Sequence, residues 1–191
     1  MMNTSIFVPA MLLGAGLAAA VIWLLRRAAP ASNLIRSGGD SPRFPTVSGA
    51  NLDRLKMEFP RDFAGKHNLL LVAFERWHQR DVETWIPAAR ELEAAVPDFV
   101  YYELPTIRKL PVLYRSFINE GMRAGIPDQT SRERTVTLYL DKKEFRSALG
   151  INDERTIRLF LVDREGRILW SEAGPWTAEK GAGLERALQE S

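Results

Sequence analysis

The sequence predicts an α/β fold, a mixed sheet flanked by helices, preceded by one N-terminal transmembrane helix. Three observations predict it. No ionisable side chain occurs before Arg26, and Ile6 to Leu25 is a 20-residue run broken only by Pro9, Gly14 and Gly16. Between Leu69 and Leu104 an apolar strand, an amphipathic helix and a second apolar strand follow one another. From Ile157 onward, two strands joined by Asp163-Arg164-Glu165-Gly166 lead into a closing helix.

A helix over residues 6–25 rises about 1.5 Å per residue and so spans roughly 30 Å, the hydrocarbon thickness of a bilayer. Trp23 stands near its end, where an indole suits the headgroup boundary. A cleaved secretory signal is the competing reading, since Ala29-Pro30-Ala31 offers a small-x-small site. Such signals carry positive charge ahead of the apolar segment; here Arg26 and Arg27 follow it. The positive-inside rule then predicts a single-pass anchor in the cell (inner) membrane, with the C-terminal domain cytoplasmic. Residues 1–27 are the anchor. Residues 28–51, rich in Pro, Gly, Ser and Asn, read as a flexible linker, and 52–191 as the folded domain.

Within that domain LLLVAF (69–74) is apolar on both faces, which suits a central strand. Val82, Trp85, Ile86, Ala89, Leu92 and Val96 recur at helical spacing and predict a helix over 79–95 with Pro87 inside it. Residues 99–104 make the next strand. Leu113, Phe117 and Met122 suggest a helix after Pro111, read either as an ordinary amphipathic helix or as a docking element between Pro105 and Pro127. Thr135 to Leu140 alternates as a third strand. Asp141 and Glu144 have capping-box spacing, opening a short helix with Phe145, Ala148 and Leu149 inward and Gly150 as its stop. Strands at 157–162 and 167–171 flank the glycine turn, and Thr177 caps a final helix to about Gln189.

This order, and above all LLLVAFERWHQRDVETWIPAARELEA, resembles the thioredoxin-like superfamily in its peroxiredoxin-like form. The resemblance implies that Gln79 and Val82 stand where that family's two cysteines would be, with Pro87 at its helix-kinking proline. The position of its cis-proline falls at about Ile157. Three stretches, FPRDFAGKHNLLLVAF, TVTLYLDKKEFRSALGI and IRLFLVDREGRILWSEAG, resemble the mitochondrial ATP synthase assembly factor family. That resemblance implies a chaperone-like role in assembling a membrane complex, with a membrane protein or complex subunit as partner, and no cofactor.

Composition limits the chemistry. The 191 residues contain no cysteine and only His67 and His78 as histidines, so this chain by itself offers no thiolate for disulfide exchange, peroxide reduction or metal binding. Net charge is +2, of which residues 1–43 hold +3, leaving the remainder at −1. A nucleic-acid surface would demand a basic excess on the folded part, so no nucleic-acid partner is expected. No Walker loop, Rossmann fingerprint, Gly-x-Ser-x-Gly or His-Glu-x-x-His is present. The candidate partner-binding residues are Trp77, His78, Gln79 and Arg80, predicted at the carboxyl end of a parallel strand, the edge where open α/β sheets form ligand clefts. Their other reading is Trp77 packed on the sheet edge with His78 and Arg80 solvated. Asp141 and Asp163 end two strands: a paired-carboxylate or magnesium site is one reading, cap and turn roles the other. The functional expectation is a redox-inactive assembly or binding module on a membrane. An exported enzyme of the same superfamily using non-thiol groups, or a ligand carrier, is the alternative.

Overall fold

The structure, a computed structural model, describes residues 42–191; the expected span at 6–25 and the linker up to residue 41 lie outside them. The elements are β1 (Val47–Asn51), β2 (Lys56–Phe59), β3 (His67–Ala73), a 3-10 turn (Arg76–His78), α1 (Gln79–Ala95), β4 (Phe99–Arg108), α2 (Val112–Gly125), α3 (Gln129–Arg134), β5 (Val136–Leu140), α4 (Lys142–Ala148), β6 (Arg158–Asp163), β7 (Ile168–Ala173) and α5 (Ala178–Gln189). The seven strands form one sheet in the order β2-β1-β5-β4-β3-β6-β7. β3 runs parallel to β4 and antiparallel to β6, and β4 runs parallel to β5. Among the described residues no helix is long and apolar enough to cross a membrane.

The central strands explain the rest. Side chains alternate across a sheet, so a strand buried on both sides divides its residues between two cores. Leu69 and Leu71 join Val82, Trp85 and Ala89 of α1, Trp170 of β7 and Leu184 of α5. Leu70 and Val72 point the other way, to Phe44, Phe59, Phe63 and Phe145. Stacked and edge-to-face ring contacts knit that second core, with Phe59 and Phe63 centroids 4.6 Å apart and Phe44 and Phe145 5.7 Å apart.

The predicted caps are present. Asp141 accepts from the amides of Lys143 and Glu144 at 2.9 and 3.1 Å, and Thr177 accepts from that of Lys180. Gly166 has the positive φ, +79°, that its turn requires. Several features differ from the sequence reading, which had no counterpart of β2 or α3. Residues 47–51, assigned there to the linker, form β1 and pair with both β2 and β5. This strand is held by contacts distant in sequence: a Cβ at Gly49 would stand 2.6 Å from the Thr137 carbonyl oxygen, so the short, glycine-bearing segment is set by close approach, not by local preference. β4 continues through Pro105 to Arg108, beyond the predicted 104. Ala148 is exposed, because α4 offers only Phe145 and part of Leu149 to the core.

Candidate functional site

Parallel β3 and β4 end at one edge of the sheet, and antiparallel β6 begins there, with Arg158 opposite Val72. Three segments converge on that edge: residues 74–78 after β3, the start of α4, and the loop 153–157 before β6. The 3-10 turn Arg76–His78 carries the chain into α1. It turns His78 inward, where it is fully buried, and leaves Trp77 half exposed with the two rings edge-on at 4.2 Å. His78 Nδ1 accepts from the Phe74 amide at 3.2 Å, which assigns its proton to Nε2. Burial pushes the imidazole pKa down, with Asp81 and Glu75 acting against it. This histidine is therefore a buried packing element that closes the turn. Gln79 and Arg80 are exposed at the start of α1.

The sequence reading thus placed all four candidates at the correct edge, but the structure separates them. Trp77, Gln79 and Arg80 are exposed; His78 is not.

Two neighbours went unnoticed in the sequence. Lys142, at the first position of α4, directs Nζ to the Phe74 carbonyl at 3.0 Å, Glu75 Oε1 at 3.2 Å and Glu154 Oε2 at 2.5 Å. Arg146 reaches the other Glu154 oxygen at 3.3 Å. All three ammonium donors are used, so this part-buried cluster ties the three segments together and the lysine has none left for a partner. The second neighbour is Glu103, on β4 and only 8% exposed. Burial pushes its carboxyl up to about 7, while a hydrogen bond with Gln79 and the charge of Arg90 pull the other way. A carboxylic acid inside the otherwise apolar stretch Phe99–Leu104 was the sequence signal that would have found it.

Val82, one turn into α1, is 1% exposed, and Ile157 is fully buried immediately before β6. Both are core residues here. The paired-carboxylate reading of Asp141 and Asp163 is overturned by strand direction. β6 is antiparallel, so Asp163 lies beside His67 at the start of β3, whereas Asp141 follows β5 at the opposite end of the parallel strands. Asp163 serves the turn instead, accepting from the amides of Glu165 and Arg167 and pairing with the Arg167 guanidinium. Among the described residues no group of three or more His, Cys, Asp or Glu could hold a metal ion.

No protein-family model matches the chain, and no curated protein matches it. Solved structures do. A thiol:disulfide interchange protein from Bacteroides sp. superposes with a TM-score of 0.54 at 20% identity, over 79% of this chain and 91% of that one. BsSco, a member of the Sco family of cytochrome c oxidase assembly proteins, matches with a TM-score of 0.54 at 11% identity, over 84% of this chain and 99% of its own. ScoI of Arabidopsis thaliana, solved with copper bound, gives 0.52 at 13% identity, over 77% and 98%. At these identities the likeness shows the fold, which is thioredoxin-like.

Proposed function

We propose that the chain is a membrane-anchored, redox-inactive thioredoxin-like module that binds a membrane protein or complex subunit during assembly. One observation carries this reading. At the sheet edge where such folds present ligands, this chain shows an exposed Trp77, Gln79 and Arg80 on a locked scaffold, and it has no cysteine with which to do thiol chemistry. Trp and Arg are among the residue types enriched at binding hot spots. The anchor supports a client in the membrane, and the charge flanking it supports a domain on the cytoplasmic side. Two lines bear on an assembly role: the sequence resemblance to ATP synthase assembly factors, and the fold shared with a protein described as assembling cytochrome c oxidase.

The test is genetic and biochemical. Removing the chain from its host is expected to deplete one assembled membrane complex on native gels, with the ATP synthase scored first. The full chain restores that complex. The Trp77→Ala/Arg80→Glu variant, which alters only exposed side chains, restores it at least several-fold less well. Unchanged membrane complexes after removal, or full rescue by the variant, would overturn the proposal.

A further inference from the structure

The helix α2 turns a mixed side, with half-buried Ile118 and Met122, to the domain and leaves its bulkiest apolar residues outside. On the inner side the Tyr139 hydroxyl donates to Asn119 Oδ1 at 2.8 Å and Arg123 pairs with Asp53 at 3.7 Å, while Arg54 pairs with the exposed Glu120 at 2.8 Å. The Arg115 guanidinium turns back over the Tyr139 ring at 5.2 Å and donates to the Leu110 carbonyl. Outward stand Leu113, 80% exposed, and Phe117, 83%, with Val112 and Tyr114 beside them at 75% and 63%. No residue of the helix is buried. A helix in water normally turns its apolar stripe to a core. Here Val112, Leu113, Tyr114 and Phe117 are left in solvent instead.

We propose that this face lies in the headgroup layer of an anionic bilayer and seats the domain on the membrane surface. The charge pattern favours lipid. Arg108 and Lys109 stand exposed just ahead of the helix, while Arg115 turns back over Tyr139, Arg123 pairs with Asp53, and Arg54 neutralises the helix's single anion, Glu120. Bulky apolar and aromatic side chains on one face with cations at the flanks are the pattern of helices that lie in the interface plane. The covalent geometry permits it: the 16 residues between Leu25 and Pro42 span at most about 55 Å at roughly 3.4 Å each, enough for the domain to reach the surface of the bilayer its anchor enters. The inference rests on the anchored reading above and adds which face meets the lipid.

The absence of cysteine makes a direct test possible. A Cβ added at Gly121 meets nothing within 4 Å, and this position is one turn beyond Phe117 on the same stripe. Gly121→Cys therefore accepts an environment-sensitive fluorophore on the proposed contact face. Glu165→Cys provides the control. It is exposed in the turn after Asp163, which adjoins the start of β3 and β4, whereas α2 follows the end of β4. The full chain is reconstituted in phosphatidylcholine vesicles with and without phosphatidylglycerol, some carrying a quencher on the lipid. The expected result is a blue-shifted label at 121, quenched several-fold more than the label at 165, the difference growing with phosphatidylglycerol. Adding Phe117→Ser is expected to reduce that quenching several-fold. Equal quenching at 121 and 165 in chain that floats with the vesicles would overturn the proposal and leave the anchor standing. A label shielded from aqueous quencher but not reached by lipid quencher would also overturn it, assigning the stripe to protein. Chain that fails to float would end both readings.

Discussion

Glu103→Gln is expected to stabilise the protein above pH 7 and to leave it unchanged below pH 4.5. The carboxyl moves from 4.5 to about 7 because it is buried under α1, where only Gln79 and Arg90 offset the lost hydration. A folded-state value above the unfolded one means that the unfolded chain gives up its proton first. The stability this group supplies is therefore whole below pH 4.5 and is lost as pH climbs to 7. At 1.36 kcal/mol per pH unit the loss is on the order of 3 kcal/mol. Glutamine keeps the shape and the hydrogen bond with Gln79 but carries no charge, so the variant's urea-unfolding free energy should vary less with pH over this window. Parallel profiles for the two proteins would show that Glu103 is solvated.

Trp85→Ala is expected to cost about 3–5 kcal/mol, the usual range for emptying a large aromatic site in a core. Trp85 is fully buried on α1, meets Trp170 edge-on at 6.3 Å, and donates Nε1–H to the Gly174 carbonyl at 3.0 Å. It thus joins helix to sheet and also pins the segment after β7. Trp85→Phe keeps most of the packing but leaves that carbonyl without its donor, and should cost about 1–3 kcal/mol. Denaturant unfolding separates the two. Similar small losses for both would mean that α1 is not the helix that closes this core.

The difference between what local pattern could and could not give is plain in particular residues. Leu69 to Val72 read as a doubly buried strand because every residue is apolar, and both cores of the fold meet on them. Val82, Trp85 and Ala89 gave α1 by period alone. β1 was hidden because Val47-Ser-Gly-Ala-Asn has weak strand character, and its pairing with Val136–Leu138 comes from far along the chain. α2 was visible as a helix, but the outward turn of Leu113 and Phe117 was not. Which side faces the domain depends on contacts with Tyr139 and Asp53, neither of which lies in the helix. At the site, Trp77 to Arg80 were placed by strand–helix order. The inward turn of His78 and the Lys142–Glu154 contact depend on three segments meeting, which spacing does not encode. Asp141 and Asp163 show the same limit: each role was readable as cap or turn, but the distance between them awaited the direction of β6.

The central claim is that the exposed edge at Trp77 works by gripping a polypeptide in the membrane. A photo-crosslinking residue placed at position 77 of the full chain, activated in native membranes, tests it most directly. The account predicts one discrete adduct with an integral membrane subunit, absent when the same residue is placed at position 165. No adduct from position 77, or an identical set of adducts from both positions, would contradict it.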